Sequence, residues 1–359
     1  MTVTAAEQEA FSVALELARS AGVTRGPNPT VGCVLLDPEG REVARGWHRG
    51  AGTPHAEADA LARAGAAAQG ATAVVTLEPC AHHGRTPPCA QALIAAGVRR
   101  VVLGQLDPNP EAAGGAQVLR EAGVEVAGPW RAAAARALNE DWTRAQELRR
   151  PVVIWKVAAS LDGRITAADG SSQWITGPQS RTAAHELRAS VDAVLTGTGT
   201  ALADRPRLTA RPHGVTLPPE QQPLRAVMGL RELPVDHPLA DAMWLRTRDP
   251  AEALALLWEA DVRRVMLECG PRLAAAFADA DLVDRIVWFT APIMLGPFGL
   301  AVVDGGPTTL VEARRWQVAA LAASGDDVRI DLERGDAAAA IASRRAAESA
   351  GSPAAAEGA

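Results

Sequence analysis

One histidine and two cysteines, far apart in the sequence, constrain the fold of this chain more than any other feature. His55 lies two residues before Glu57, Cys80 follows a proline further along, and Cys89 completes the set. Zinc prefers imidazole nitrogen and thiolate sulfur in a tetrahedral arrangement, so the fold has to bring three separate pieces of chain together. Three protein ligands leave one position for a water molecule, whose pKa the metal lowers to roughly 7. The sequence therefore predicts a reactive zinc site formed by His55, Cys80 and Cys89.

Glu57 is placed to transfer protons at this site. A carboxylate two residues beyond the histidine can lie close to the metal without binding it, and it can take a proton from water and deliver it to a leaving amine. His-x-Glu with Pro-Cys and a further cysteine is typical of zinc deaminases that act on an amino-substituted pyrimidine or purine ring. We interpret Glu57 as the catalytic residue of such a deaminase.

A structural zinc site is the alternative to this interpretation. Structural sites have four protein ligands, and His82 or His83, between the cysteines, could supply the fourth. The usual Cys-x-x-Cys of deaminases is also replaced here by a longer segment, residues 81–88. Because this segment contains two imidazoles and Arg85, whose guanidinium can hold a phosphate by two hydrogen bonds, we interpret it as a substrate-binding loop.

Length and composition predict a two-domain protein inside the cell. The 359 residues exceed one typical domain, and the 48% of apolar residues suffices for two cores. A net charge of −6 without a basic run argues against a nucleic-acid surface. The N-terminus does not resemble a signal peptide, and no apolar run approaches the roughly 20 residues needed to cross a bilayer. We expect a cytoplasmic protein that binds neither nucleic acid nor membrane.

Helical and strand patterns alternate along both halves of the chain, which predicts α/β layers. The domain boundary is expected at Pro151, giving residues 1–150, residues 151–334 and a disordered Ala-rich tail, residues 335–359. The first half is predicted to contain helices over 5–21, 55–68, 91–96, 115–122 and 131–148 and strands over 31–36, 43–47, 72–77, 101–103 and 124–126. The second half is predicted to contain strands over 152–157, 191–196, 262–268 and 285–290, helices over 179–189 and 272–278, a Gly-rich loop over 197–200 and an irregular stretch over 206–223.

These motifs resemble those of the bifunctional deaminase-reductase family of riboflavin biosynthesis. In the first half the resemblance is carried by 27–32 (PNPTVG), 55–57 (HAE), 76–89 (TLEPCAHHGRTPPC) and 107–110 (DPNP). In the second half it is carried by 156–164 (KVAASLDGR), 172–176 (SQWIT), 202–206 (LADRP), 208–209 (LT) and 268–271 (ECGP). The resemblance covers residues 7–332, with both domains in the family's order.

The resemblance implies a fold and two reactions. The fold is a cytidine-deaminase-like α/β/α domain followed by a dihydrofolate-reductase-like α/β domain. The first domain would use Zn²⁺ to deaminate 2,5-diamino-6-(5-phosphoribosylamino)pyrimidin-4(3H)-one by hydrolysis. The second would use NADPH to reduce the ribosyl group to ribityl, giving 5-amino-6-(5-phosphoribitylamino)uracil. A homo-oligomer, either a dimer or a tetramer, is also implied.

The family's functional positions can be carried over to residues of this chain. For the deaminase they imply His55, Cys80 and Cys89 as zinc ligands, Glu57 as the proton shuttle, and Asn28, His82 and Arg85 as contacts to the substrate. For the reductase they imply cofactor contacts by Ala158, Trp174, Thr200, Asp204 and the segment Gly270, Pro271 and Arg272, and substrate contacts by Ser172, Arg188, Leu208, Arg211 and Glu268. We add Lys156 as a contact to the ribose or its phosphate, because a charged group within a strand is more often functional or paired than idle.

The residues alone leave the second site open. No Gly-x-Gly-x-x-Gly follows its first strand, and the 197–200 segment suits a phosphate loop or an ordinary tight turn. The Gly270-Pro271 pair likewise suits an anion site at a helix start or a plain strand-to-helix turn. Arg188 and Arg211 suit a clamp for the 5-phosphate, or positions facing solvent.

Two departures from the family's pattern concern the cofactor. Residues 228–231 (MGLR) replace an Asp-Ser-like pair, which puts one contact to the cofactor ribose in doubt. Arg272 replaces a small hydroxyl residue and could pair with a cofactor phosphate or point to solvent.

Two other classes of protein share part of these features. A nucleobase or nucleic-acid deaminase with a non-reductase accessory domain would have Cys-x-x-Cys and a basic second domain, and neither appears in the sequence. A noncatalytic scaffold stabilised by zinc would supply four protein ligands and would unfold on chelation.

Overall fold

The computed structural model describes residues 2–20, 26–82 and 87–335. It divides the chain into two compact units, and the division falls between Arg150 and Pro151. Arg85 and His83 lie outside the described residues, as do Ala21 of the first predicted helix and all of the predicted tail beyond Gly335.

The first unit contains a five-stranded sheet in the order β2-β1-β3-β4-β5. Its first strand is antiparallel to both neighbours, whereas β3, β4 and β5 are parallel. Its strands are β1 (Gly32–Leu36), β2 (Glu42–Trp47), β3 (Thr72–Leu77), β4 (Arg100–Gln105) and β5 (Glu125–Ala127), and its helices are α1 (Ala5–Ser20), α2 (Ala56–Ala64), α3 (Cys89–Ala95), α4 (Gly115–Glu121), α5 (Ala132–Leu138) and α6 (Glu140–Leu148).

Helices cover both faces of this sheet. Every residue of β3 is buried, as expected for a central strand rich in β-branched residues. Val75 packs in one core with α2, α3 and α4, whereas the adjacent Val74 packs in a second core with α1 and α5. Successive side chains of a strand point to opposite faces, so the unit has three layers, α/β/α.

The helix predicted over 131–148 is wrong as a single element. It divides into α5 and α6 at Asn139, whose φ of −124° is not helical. The buried amide of Asn139 accepts a hydrogen bond from the backbone N–H of Thr30 and donates one to its carbonyl, both at 2.7 Å. These contacts to a residue distant in sequence offset the interruption of the helix and anchor the loop before β1.

The second unit contains an eight-stranded sheet in the order β12-β13-β11-β6-β10-β7-β8-β9. Six strands are parallel, and β12 and β13 form an antiparallel hairpin at one edge. The strands are β6 (Val152–Ser160), β7 (Ala193–Gly197), β8 (Leu224–Met228), β9 (Met243–Leu245), β10 (Arg264–Leu267), β11 (Arg285–Ala291), β12 (Trp316–Ser324) and β13 (Asp327–Arg334), and the helices are α7 (Pro178–Ser190), α8 (Thr198–Asp204), α9 (Pro250–Glu259) and α10 (Pro271–Asp279).

Several elements of this unit differ from the prediction. The predicted Gly-rich loop over 197–200 is mostly the start of α8. The sequence pattern did not predict β8, β9, β12, β13 or α9. For α9 a local signal exists, because Asp249 caps the helix by accepting a hydrogen bond from the N–H of Ala251 at 2.9 Å, and Pro250 follows at the first helical position.

Within the described ranges no helix has both the length and the apolar character that crossing a membrane requires.

Candidate active sites

The three ligand residues predicted from the sequence lie together in the first unit. His55 immediately precedes α2, Cys80 follows β3, and Cys89 is the first residue of α3. The Nδ1 of His55 lies 3.3 Å from the Sγ of Cys89 and 3.7 Å from the Sγ of Cys80, and the three atoms all lie within 4.8 Å of one another. Sulfur and nitrogen ligands about 2.3 and 2.1 Å from one tetrahedral zinc ion lie about 3.6 Å apart. The donor atoms and their spacing therefore fit zinc.

The number of ligands distinguishes a reactive site from a structural one. Among the residues that the structure describes, this cluster contains three potential ligands, and His82 is exposed rather than part of it. His83, the other residue proposed as a fourth ligand, lies outside the described residues. The described part of the cluster thus has the ligand number of a catalytic zinc site.

Glu57 is buried in the first turn of α2, two residues from His55. Only 4% of its surface is exposed, and this burial raises the pKa of its carboxyl group to about 7. A carboxyl group that titrates near neutral pH can both accept and donate a proton. Hydrogen bonds with Cys89 and with His55 lower the pKa of the Cys80 thiol, which favours the thiolate form that binds metals.

Asn28 is held near the zinc ligands by His48, a residue that the sequence analysis missed. The Nδ1 of His48 lies 3.0 Å from the carbonyl oxygen of Pro54, and its Nε2 lies 3.0 Å from the Nδ2 of Asn28. Because a carbonyl oxygen only accepts, Nδ1 carries the proton and Nε2 accepts from the Asn28 amide. Burial lowers the pKa of His48, which favours this neutral form. Its ring also stands edge-on to that of His55, with centroids 5.4 Å apart.

A second buried carboxylate, Glu78, connects the loops around the zinc ligands. It follows β3, and it accepts hydrogen bonds from the N–H of Asp107 at 3.0 Å and from the N–H of Ala116 at 2.9 Å. These contacts join the ends of β3 and β4 to the start of α4. Burial also raises the pKa of Asp107 to about 7. Both acidic residues occur in the motifs of the sequence, but nothing in their spacing indicated these contacts.

In the second unit, charged side chains meet where the parallel strands end. Lys156 lies in β6, Glu268 directly follows β10, and Arg188 lies in the last turn of α7. Lys156 is the only lysine in the sequence. Burial lowers the pKa of Lys156, whereas the charge of Glu268 opposes this change. The structure thus brings together three of the six predicted substrate residues.

Arg188 and Glu268 form a two-point ion pair. The Nε of Arg188 contacts Oε1 of Glu268, and Nη2 lies 2.7 Å from Oε2, with side chains that are only 16% and 15% exposed. Burial raises the pKa of Glu268, but the charges of Arg188 and Lys156 outweigh this effect and lower it below its ordinary value. Two nitrogens of the Arg188 guanidinium, which is predicted to bind phosphate, therefore already contact a carboxylate.

Two predicted cofactor positions contact each other directly. The backbone N–H of Gly270 donates to the Oγ1 of Thr200 at 3.0 Å, which joins the start of α10 to α8. A Cβ on Gly270 would lie 3.4 Å from the same Oγ1, which is within van der Waals contact.

Other predicted cofactor positions are more exposed. Arg272 lies at the surface, 3.6 Å from Asp304, with 94% of its side chain exposed. Trp174 is 67% exposed and stacks on the guanidinium of Arg181 at 4.8 Å. Ala158 and Ser172 are half-buried and Asp204 is exposed. Their positions do not by themselves indicate a ligand.

The departure after β8 has a steric explanation. Gly229 has a φ of +136°, and a Cβ there would lie 2.6 Å from the Oγ1 of Thr198. An aspartate in place of this glycine would have to displace the side chain of Thr198, at the start of α8, and would be strained at this φ. The side chain of Trp244 fixes the turn by donating to the Gly229 carbonyl at 2.7 Å.

Two family models match the chain, one in each unit. Residues 4–105 match the cytidine and deoxycytidylate deaminase zinc-binding region, and residues 151–330 match the RibD C-terminal domain. The riboflavin biosynthesis protein RibD of Mycobacterium tuberculosis is 45% identical over 90% of this chain and 96% of its own length. The chain belongs to the RibD family. The RibD protein of Escherichia coli is 38% identical over 89% of this chain and 97% of its own length.

Solved structures of RibD proteins agree with this assignment. Acinetobacter baumannii RibD is 36% identical and superimposes with a TM-score of 0.82, covering 91% of this chain and 98% of its own. A Thermotoga maritima structure, described as a diaminohydroxyphosphoribosylaminopyrimidine deaminase and 5-amino-6-(5-phosphoribosylamino)uracil reductase, is 30% identical with a TM-score of 0.76 and covers 92% of this chain and 99% of its own.

Family membership confirms the predicted fold class and the predicted pair of activities. The chain is a bifunctional enzyme of riboflavin biosynthesis, with a zinc-binding, cytidine-deaminase-like domain and an NADPH-dependent RibD reductase domain. The alternative of a deaminase with a non-reductase accessory domain is contradicted by the match to the RibD C-terminal domain.

Proposed function

We propose that the first domain hydrolyses the ring amine of 2,5-diamino-6-(5-phosphoribosylamino)pyrimidin-4(3H)-one. The second domain then reduces the ribosyl group of the product to ribityl and releases 5-amino-6-(5-phosphoribitylamino)uracil. The observation that carries this proposal is the convergence of His55, Cys80 and Cys89 beside the buried Glu57, in a chain whose second half is a RibD reductase domain.

In the deaminase, each residue has a distinct part. Zinc held by His55, Cys80 and Cys89 would supply the acidity that turns a water molecule into a nucleophile near neutral pH. Glu57 accepts a proton from that water and delivers it to the leaving amine, for which its raised pKa is suited. Asn28, fixed by His48, orients the pyrimidine, with His82 and Arg85 contacting the ring or its phosphate.

In the reductase, binding and orientation matter more than acid strength. NADPH would supply the hydride. The cofactor is bound by residues of the second domain, namely Thr200, Gly270 and Pro271 together with Ala158, Trp174, Asp204 and Arg272. Lys156 contacts the ribose of the substrate, and the ionised carboxylate of Glu268 lies beside Lys156. Arg188 and Arg211 face the phosphate of the substrate. Two further residues, Ser172 and Leu208, complete the contacts.

We further propose a cytoplasmic location and a homo-oligomer, either a dimer or a tetramer. The four cysteines are free, as is typical of proteins in a reducing compartment. The edge hairpin of β12 and β13 leaves Val318 and Leu321 62% and 68% exposed, and an exposed apolar edge strand is a surface that favours pairing with a second copy. Light scattering of the wild type and of a Leu321→Glu variant tests this assembly.

The central experiment follows both reactions in one sample. The protein is incubated with the diaminopyrimidine phosphate and NADPH, before and after chelation, while ammonia and nicotinamide absorbance are recorded. We expect chelation to abolish ammonia release and to leave reduction of added deaminated intermediate intact. Ammonia release that persists in fully chelated protein would show that the deamination does not need zinc. Loss of both activities together with loss of the fold would favour the noncatalytic scaffold stabilised by zinc.

A further inference from the structure

His185 is the residue that connects the two arginines of the reductase site. It lies in α7 one turn before Arg188, so both side chains project from the same face of the helix. The Nε2 of His185 lies 3.3 Å from Nη2 of Arg211, and its Nδ1 lies 3.1 Å from the carbonyl oxygen of Thr209. The imidazole thus bridges α7 and the loop that carries Arg211.

These contacts fix the tautomer of the ring. A carbonyl oxygen only accepts, so Nδ1 of His185 donates its hydrogen to Thr209. Nη1 of Arg188 also lies 3.3 Å from this Nδ1, but it donates to the same Thr209 carbonyl at 3.2 Å, so Nδ1 does not have to accept from it. Nε2 then has a lone pair, which accepts a hydrogen bond from the guanidinium of Arg211. An imidazolium could not accept this bond. Burial, together with the charges of Arg188 and Arg211, lowers the pKa of His185 to about 4, while the hydrogen bond to Thr209 and the charge of Glu268 act in the opposite direction. The ring is therefore neutral at physiological pH.

The loop that carries Arg211 is built to reach this ring. Leu208 is buried and has a φ of +54°, a conformation that a branched side chain rarely adopts. Both backbone groups of Ala210 are bound by the side-chain amide of Gln222, at 2.8 and 3.1 Å. The carbonyl of Thr209, at the centre of the loop, also accepts from Nη1 of Arg188 at 3.2 Å. The loop therefore has one defined position relative to α7.

The charges around His185 favour a dianion. Arg188 and Arg211 lie beside His185, and Lys156 lies near Glu268, the single carboxylate of the cluster, which Arg188 already binds with two of its nitrogens. The hydrogen bond to His185 uses one N–H of Arg211 and leaves its other donors for a ligand. A phosphate monoester is the ligand of matching charge and geometry.

We propose that His185 is a positioning residue of the reductase, which holds Arg211 beside Arg188 to form the binding site for the 5-phosphate of the substrate. The inference rests on the proposed role of Arg211 as a phosphate contact. It predicts that His185 affects the affinity for phosphorylated substrate rather than hydride transfer.

The test compares three variants in the full-length enzyme. His185→Leu removes the acceptor, and His185→Gln can restore it. His213→Asn is the matched control, because it changes an exposed histidine two residues beyond Arg211 and asparagine tolerates the φ of +52° at this position. KM and kcat are measured from NADPH consumption with the deaminated intermediate and with its dephosphorylated form, and inorganic phosphate is used as a competitive inhibitor. NADPH binding by fluorescence and the thermal midpoint report on folding.

The expected result is a selective loss of affinity. His185→Leu should raise KM for the phosphorylated substrate, and the inhibition constant of phosphate, about tenfold, as for a lost hydrogen bond to a charged group, with kcat changed less than about twofold. KM for the dephosphorylated form should not change, and His185→Gln should recover most of the loss. His213→Asn should resemble the wild type.

The variant Arg211→Ala distinguishes a failure of this inference from a failure of the proposed phosphate contact by Arg211. If Arg211→Ala raises KM and His185→Leu does not, the phosphate role of Arg211 stands and the role of His185 is refuted. If neither variant raises KM, the phosphate role of Arg211 fails and the inference fails with it. A measurement on the wild type covers the case of an unfolded variant: the ¹⁵N spectrum of the histidine rings should show His185 as the Nδ1–H tautomer, with an Nε2 signal that moves on addition of phosphate. An Nε2–H tautomer would refute the inference.

Discussion

Replacing Arg188 with methionine tests how the reductase keeps a carboxylate charged at its site. Methionine retains much of the length of the side chain but removes both contacts to Glu268. Since the two side chains are only 16% and 15% exposed, the variant leaves a carboxylate that is mostly out of water and has lost its partner. Removing one member of a buried pair typically costs 3–5 kcal/mol, and we expect about 3 kcal/mol here because Lys156 remains as a second cation.

The measurement is calorimetric or urea unfolding of the full-length protein, with the reductase transition assigned by its response to NADPH. For a unit of this size, a loss of about 3 kcal/mol corresponds to a fall of roughly 6 to 12 °C in the midpoint. Arg314→Met is the matched control, because its contact with Asp279 is 41% and 70% exposed and should contribute less than about 1 kcal/mol. The double variant Arg188→Met/Glu268→Met should regain most of the loss, because it leaves no unpaired carboxylate and the buried amine of Lys156 can lose its proton.

The pH dependence gives a second check with a defined sign. The pKa of Glu268 is lowered in the folded protein, so the pair stabilises the fold above the ordinary glutamate pKa of about 4.3 and loses this effect as the pH falls through the native pKa. The difference between wild type and Arg188→Met should therefore shrink in acid below that range. If Arg188→Met loses no more stability than Arg314→Met at neutral pH, the argument that burial makes this pair important is wrong.

Three further predictions concern single groups. Cys89→Ser should reduce bound zinc and abolish ammonia release while the rate of reduction stays within about twofold, and unchanged zinc content measured by mass spectrometry would exclude Cys89 as a ligand. Glu57→Gln should keep its zinc but release ammonia about 10² to 10⁴ times more slowly, and near-normal turnover would show that another group transfers the proton. Reductive methylation with ¹³C-formaldehyde should label one lysine side chain, Lys156, whose NMR titration midpoint should lie below the ordinary value of about 10.4; a midpoint at or above that value would contradict the effect of burial.

The zinc site could be predicted from the sequence because the residue types alone indicate its chemistry. His55, Cys80 and Cys89 have few uses in common other than metal binding, and Glu57 lies two residues from His55 in the sequence and close to Cys89 in space. The parallel strands were predictable for a similar reason, since a buried strand such as β3 is rich in apolar and β-branched residues.

The residues that hold these sites in place could not be predicted, because their contacts join segments that are distant in the sequence. Asn139 interrupts a helix to bind Thr30, more than a hundred residues away, and no local pattern reveals that partner. His185 looks like an ordinary polar residue of α7 until the carbonyl of Thr209 fixes its tautomer. The strand β12 escaped prediction since its exposed alanines do not alternate with polar residues, whereas the strict alternation of apolar and charged residues in β13 (DVRIDLER) was a signal that the sequence analysis missed.

The single lysine of this chain shows why the reductase site needs more than positive charge. The sequence uses arginine at 35 positions and lysine only at residue 156, within β6 and close to Glu268. A guanidinium there would be permanently charged, and its planar fork would compete with Arg188 for the same carboxylate. An ammonium is a compact charge that leaves the two-point pair of Arg188 and Glu268 intact, and its pKa falls when it is buried. The site thus combines one guanidinium that keeps Glu268 ionised, a second that His185 holds for an anion, and one amine that can change its charge.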